Sequence, residues 1–162
     1  MVKTKIRRNV FESNSSSSHS LTVNKCGSTG KLEVDEYENK VITHFGEFGW
    51  GYDTYTDPET KLSYLVTMLI ETNCDCFSIE ELCETDDFKA INDVVAEHCE
   101  CSGILIDEEI TKKSWGDWAD HEGYIDHQSV MNITKLLNNY DCTIEEFIFD
   151  PGIELIIDND NH

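Results

Sequence analysis

The N-terminal segment carries the residues best suited to hold a phosphorylated ligand. Two arginines enter it, and four consecutive serines lead to a histidine; these candidates are Arg7, Arg8, Ser15, Ser16, Ser17, Ser18 and His19. Guanidinium groups hold a phosphate bidentately, while hydroxyls and turn N–H groups bind oxyanions. Serine runs are also typical of flexible loops. No glycine lies between Arg7 and Ser20, so the segment is not a glycine-rich phosphate loop.

A second group of chemically capable side chains follows the tryptophans near residue 118. Its members, which could surround a divalent metal or form an acid–base pair, are Asp117, Asp120, His121, Asp126 and His127. With His19, the residues Asp126 and His127 are the catalytic candidates. Their spacing matches no established metal motif, and the alternative is an aromatic loop in which Asp126 or Ser129 caps a helix.

The cysteines indicate buried thiols more than a metal centre. There are seven, and an odd number without a secretory signal argues against a disulfide framework. Two C-x-C pairs could supply four thiolates to a structural zinc, and they are Cys74, Cys76, Cys99 and Cys101. This spacing is tighter than that of the usual zinc knuckle, so we expect no metal and no cofactor.

Charge is the strongest whole-chain signal. The net charge is −21, yet residues 1–31 carry six Lys/Arg and one acid, a net of +5, which leaves −26 for residues 32–162. Such a surface repels nucleic acid and attracts a basic partner protein, for instance a nucleic-acid-binding enzyme. The alternative is simple solubility or a halophilic host. Candidate partner contacts lie in a glycine-aromatic loop and an acidic turn, and they are Trp50, Tyr52, Asp107, Glu108 and Glu109.

Neither a membrane span nor a targeting segment is expected. No apolar run approaches the roughly 20 residues that a spanning helix needs. The basic start is not followed by the apolar stretch of a secretory signal. We therefore expect a cytoplasmic protein.

The periodicity predicts one α+β domain over residues 1–162, mostly β over 1–45 and mostly helical over 57–149. Alternating segments at 4–10, 21–23, 31–37 and 41–45 predict an N-terminal antiparallel meander, with the serine run as the loop between its first two strands. Helical spacing and capping signals predict four to five helices, at 57–72, 78–83, 85–98, 130–139 and 143–149. Short strands are expected at 103–106 and 153–157.

The run R-N-V-F-E-S-N-S-S-S-S-H-S, residues 8–20, resembles the opening of small bacteriophage and mobile-element proteins of low-GC bacteria. Those proteins often begin with R-x-V-F-E-x-N-S-S-S-x-H-S. Residues 124–129 and 147–151 are weaker similarities, and together the three stretches cover about 25 of the 162 residues. The resemblance implies a phage or mobile-element origin and supplies neither an activity nor site residues.

Two functions from different classes follow. The first is an acidic phage-type protein that binds and inhibits a host nucleic-acid-binding protein of antiviral defence. Mimicry of nucleic acid is one way in which it could do so. The second is an enzyme or sensor that acts on a nucleotide or another phosphorylated ligand through the N-terminal Arg/Ser/His segment. A structural protein of the particle has no positive sign in the sequence.

Overall fold

The computed structural model describes residues 17–23, 30–49, 52–73, 75–76, 78–112, 119–126 and 132–159. Within these ranges the chain forms five helices and nine strands. The helices are α1 (Pro58–Thr72), α2 (Ile79–Cys83), α3 (Asp86–Cys99), α4 (Ile133–Tyr140) and α5 (Ile144–Phe149). The strands are β1 (Ser17–Val23), β2 (Val41–Thr43), β3 (Glu47–Phe48), β4 (Tyr52–Tyr55), β5 (Ile104–Ile106), β6 (Ile110–Lys112), β7 (Ala119–His121), β8 (Tyr124–Ile125) and β9 (Ile153–Asn159).

Helix α1 is the central element of the structure. The Asp57 carboxylate caps it by accepting the Thr60 N–H at 2.7 Å, and Pro58 occupies its first turn, as the sequence predicts. The helix packs against α3, α4, α5, β2 and β8. Because it has neighbours on several sides, its buried residues exceed one apolar stripe and include Lys61, Tyr64 and Thr67.

The other helices begin at side-chain caps close to the predicted positions. Ser78 and Thr85 cap α2 and α3, and Thr143 with Glu146 forms a complete capping box at α5. The start of α4 corrects the prediction, because the helix begins at Ile133 and its cap is Asn132, not Asp126 or Ser129. Residues 127–131 lie outside the described ranges.

The strands form four small sheets. An antiparallel sheet has the order β1-β9-β4, so the C-terminal strand lies between two strands from the first third of the chain. Strands β2 and β5 form a parallel pair, as do β3 and β8, and β6 pairs antiparallel with β7. Parallel pairs require long crossover connections, which here pass through the helices.

An α+β architecture is confirmed, whereas the N-terminal meander is not. Strand β1 pairs with β9, and Ser17 and Ser18 are strand residues and not part of a loop. Residues 31–37 form no strand; they lead into a turn closed by the isolated bridge between Asp35 and Lys40. The predicted strand at 4–10 lies outside the described residues. Between α3 and α4, four short strands interrupt the region predicted to be mostly helical.

The predicted core positions of α1 are buried. Leu62, Leu65 and Leu69 of α1 have almost no exposed surface, and Met68 lies with them as a core side chain. They pack with residues of α3, α5 and β9, including Ile91, Phe147 and Leu155. In the described ranges, no helix combines the length and apolar character needed to cross a membrane.

Candidate functional site: an acidic groove beside strand β2

The N-terminal candidates lie largely outside the described residues. Arg7, Arg8, Ser15 and Ser16 belong to that undescribed part, and Ser17, Ser18 and His19 lie on strand β1. In the sheet register, Ser18 is opposite Asp158 of β9, which is opposite Tyr52 of β4. His19 occupies the next row, opposite Ile157. The phosphate-binding role of this segment therefore stays a prediction.

The second candidate group is divided between two short strands. Asp120 and His121 lie on β7, while Asp126 directly follows β8; Asp117 and His127 lie outside the described residues. The His121 ring contacts Phe45 edge-on, and its Nδ1 lies 2.8 Å from the carbonyl oxygen of Glu122. Across the described ranges, no three His, Cys, Asp or Glu side chains are arranged to hold a metal ion.

The described cysteines are partly or fully buried thiols. Cys76 is buried, and Cys99 and Cys101 are half-buried near the end of α3; Cys74 lies outside the described residues. Burial raises the pKa of the Cys99 thiol, and the neighbouring Cys101 raises it further. A raised pKa keeps this thiol protonated at neutral pH, which disfavours nucleophilic attack.

A groove runs along the outer edge of β2, on the side away from β5. It consists of two adjoining depressions, of about 530 and 540 Å³, that share Leu32, Val41, Ile42 and Glu59. One depression extends along residues 32–37, and the other lies between residues 43–48 and the start of α1. The groove is thus lined by the segments that precede and follow β2 in the chain.

The described residues that line the groove are predominantly acidic. Five of them carry carboxylates, Glu33, Asp35, Glu36, Glu47 and Glu59, and none of the described lining residues is a Lys or Arg. Among these acids Glu33, Glu36, Glu47 and Glu59 are exposed to solvent. Closely spaced carboxylates around a concave surface concentrate negative potential there, which attracts cationic groups of a partner.

The groove also carries apolar surface. Leu32, Val41, Phe48 and Leu62 are buried side chains that reach its lining. In the described part of the chain, three large apolar side chains are exposed, and two of them, Tyr37 at 97% and Ile42 at 40%, line this groove. Exposed aromatic and aliphatic groups beside polar ones are typical of protein-binding surfaces.

The Asp35 side chain organises the turn at one end of the groove. Its Oδ1 accepts the N–H groups of Tyr37 and Glu38 at 3.0 and 2.8 Å, and the Asp35 N–H donates to the Lys40 carbonyl at 2.8 Å. Asn39 takes a left-handed conformation, with φ of 51°, which asparagine tolerates. These bonds hold the exposed Tyr37 at the tip of the turn.

The carboxyl end of β2, with Thr43 and His44, forms the other end of the groove. His44 Nδ1 lies 3.1 Å from the Asp107 carbonyl and 3.4 Å from the Glu108 carboxylate, and Ser63 donates to the His44 carbonyl at 2.8 Å. Two of the three acids of the predicted turn, Asp107 and Glu109, are exposed, whereas Glu108 is half-buried against His44.

Strand β4 brings the predicted Tyr52 to the surface near the groove. Tyr52 is 62% exposed, and Tyr55 on the same strand lines the groove; Trp50 lies outside the described residues. Burial raises the pKa of the Tyr55 phenol, and the charge of Asp53 together with a hydrogen bond to it raises the pKa further. The phenol is therefore neutral at physiological pH and can donate a hydrogen bond.

The groove itself was not predicted from the sequence. Residues 31–37 alternate apolar and charged side chains, a pattern that predicted a strand. The signal available in the sequence was the density of acids at Glu33, Asp35, Glu36 and Glu38 around Tyr37.

Comparisons of this chain with protein-family models, with curated proteins and with solved structures found no match.

Proposed function

We propose that this chain is a non-catalytic, acidic protein that binds and inhibits a basic, nucleic-acid-binding protein. The observation that carries the proposal is the β2 groove, whose described lining has five carboxylates, no Lys or Arg, and two exposed apolar side chains. A basic partner gains charge complementarity from the rim and apolar burial from the floor.

The remainder of the proposal concerns the setting. We propose that the partner belongs to a host antiviral system and that the chain has a phage or mobile-element origin and acts in the host cytoplasm. The net charge of −21 supports mimicry of nucleic acid, because a basic nucleic-acid groove attracts any polyanion of suitable shape. Bound there, the chain excludes nucleic acid and thereby inhibits the partner.

The test begins with capture of partners by the tagged full-length chain from a lysate of a low-GC bacterium. We expect a nucleic-acid-binding enzyme to be retained at low salt and released at high salt, because screening weakens contacts between exposed charges. The captured protein is identified by mass spectrometry and purified. It should then bind either the chain or its nucleic acid, but not both together.

Two charge-matched variants separate the groove from the general acidity. The groove variant carries Glu33→Gln, Glu36→Gln and Glu59→Gln; the control carries Asp93→Asn, Glu97→Gln and Glu100→Gln, which are exposed acids on and just after α3. Each set removes three negative charges. The groove variant should bind the purified partner about tenfold more weakly or worse, while the control changes binding little. Equal loss in both variants, or simultaneous binding of nucleic acid, would contradict the proposal.

A further inference from the structure

The outer edge of β2 has backbone groups available for pairing. Val41 donates its N–H to the Gly103 carbonyl, and the Thr43 carbonyl accepts the Asp107 N–H, so both of these β2 residues bond the β5 side. In a parallel ladder alternate residues face the partner, so the N–H and C=O of Ile42 are directed away from β5. In the described part of the chain, no strand pairs with β2 on that side.

The antiparallel pairing that begins at Asp35 and Lys40 does not continue along β2. Asp35 and Lys40 form an antiparallel bridge, and the register would next place Glu33 opposite Ile42. That pairing is not formed; the depression lined by residues 32–37, Val41 and Ile42 lies there instead. The edge of β2 therefore borders an open slot of about 530 Å³.

We infer that the slot receives an extended, basic segment of the partner as an added strand beside β2. This inference rests on the proposed function and specifies how the groove recognises its partner. The Ile42 N–H and C=O supply the main-chain bonds, as in other cases of strand addition to an exposed sheet edge. The commitment to a basic segment follows from the carboxylates of Glu33, Glu36 and Glu59 along the slot.

The geometry also specifies the pattern of the bound segment. Successive side chains of an extended strand point to opposite faces. One face would meet the apolar lining at Leu32 and Val41, and the other would meet the carboxylates of the rim. The expected occupant therefore alternates aliphatic residues with Lys or Arg, whereas a basic helix would present its charges at a different spacing.

The probe is a capped synthetic peptide of about eight residues that alternates Val and Lys, the length of an ordinary strand. Its two controls have the same sequence with backbone N-methyl groups in one of two phases, at the valines or at the lysines, because the N–H groups of these two sets point to opposite edges of an extended strand. N-methylation removes donors and blocks strand pairing without altering side-chain charge. We expect one phase to bind the full-length wild-type chain about tenfold more weakly or worse, the effect of one or two lost hydrogen bonds.

Amide hydrogen exchange of the wild-type chain gives a second readout. Binding of the unmodified peptide should slow exchange at Ile42 by about tenfold or more, while Val41, whose N–H already donates to Gly103, changes less. On the protein side, Ile42→Pro removes the N–H that faces the slot, and Ile42→Ala retains it. Ile42→Pro should abolish peptide binding and Ile42→Ala should reduce it only modestly.

The outcomes separate this inference from the proposed function. Equal binding of the unmodified and both N-methylated peptides, with unchanged Ile42 exchange, would overturn strand addition; the proposed function would stand if the groove variant still failed to bind the purified partner. Peptide binding that appears only after Arg7→Ala and Arg8→Ala would assign the slot to the chain's own N-terminal segment and overturn the inference. No binding of the peptide to any of these proteins would overturn it as well.

Discussion

Lys61 is a cationic side chain in the apolar interior of the protein. It has 0% exposed surface, and its Nζ donates to the carbonyl oxygens of Asp150 and Ile153 at 2.9 and 3.3 Å. These carbonyls lie where α5 ends and β9 begins, so one ammonium joins the central helix to the C-terminal strand. A positive charge at a helix C-terminus is also favoured by the helix dipole.

Replacing Lys61 with methionine should destabilise the protein by about 1–3 kcal/mol, because two carbonyl oxygens lose their donor while the aliphatic volume is kept. Urea unfolding followed by circular dichroism measures the change. The control is Lys89→Met, since Lys89 is an exposed lysine paired with Glu84, and its loss should change the stability far less than the loss of Lys61. Unchanged stability of Lys61→Met would show that the buried ammonium contributes no net stabilisation.

At the scale of elements, the junction of α3 and β5 positions β5. Because β2 pairs with β5, the junction also positions the edge of β2. The Asn92 side chain accepts the Ile104 N–H at 2.9 Å, and Gly103 has φ of 118°, outside the range of ordinary L-residues. A Cβ on Gly103 would approach Asn92 Oδ1 to 2.2 Å. The glycine thus allows β5 to begin directly against α3, in register with β2.

Gly103→Ala should therefore destabilise the protein by about 2 kcal/mol or more, through backbone strain and the clash with Asn92. Denaturant unfolding gives the magnitude. Adding Asn92→Ala removes the clash but not the strain. Because it also removes the bond to the Ile104 N–H, Asn92→Ala alone is the reference against which the double variant separates the two causes. The exposed neighbour Ser102 serves as the control, because Ser102→Ala loses only a side-chain bond to Asn39. A Gly103→Ala protein as stable as the Ser102→Ala protein would refute this account of the junction.

Over the whole molecule, negatively charged side chains greatly outnumber positively charged ones. With a net charge of −21, the folded chain concentrates negative charge that the expanded unfolded chain spreads over a larger volume. Self-repulsion therefore opposes folding at low ionic strength. The same field speeds approach of a basic partner, so stability and association respond to salt in opposite directions.

Salt should raise the thermal stability while it weakens partner binding. Between about 0.02 M and 0.3 M NaCl we expect an increase in Tm of about 5 °C, because the Debye length falls well below the size of the protein. The rise should level off beyond that range, which distinguishes screening from salt effects on apolar hydration. Differential scanning calorimetry measures it, and a Tm that is constant over this range would contradict net self-repulsion.

Local signals determined most of the helices. The cap at Asp57, the capping box at Thr143 and the apolar spacing of α1 act within a few residues, so the sequence alone predicts α1, α2, α3 and α5 to within one or two residues. The acidic character of the chain, and with it the expectation of a basic partner, is likewise readable from composition.

Strand pairing and the groove depended on tertiary structure. The pairing of β1 with β9 joins residues more than a hundred positions apart, and no local pattern specifies such a partner. Residues 31–37 alternate apolar and charged side chains as a strand does, but a turn begins at Asp35. The slot lies where Glu33 would have paired with Ile42. Burial of Lys61 was equally unpredictable, because its carbonyl partners lie 89 and 92 residues away. Helices form from neighbouring residues, whereas sheets, buried charges and grooves form from residues that only the folded chain brings together.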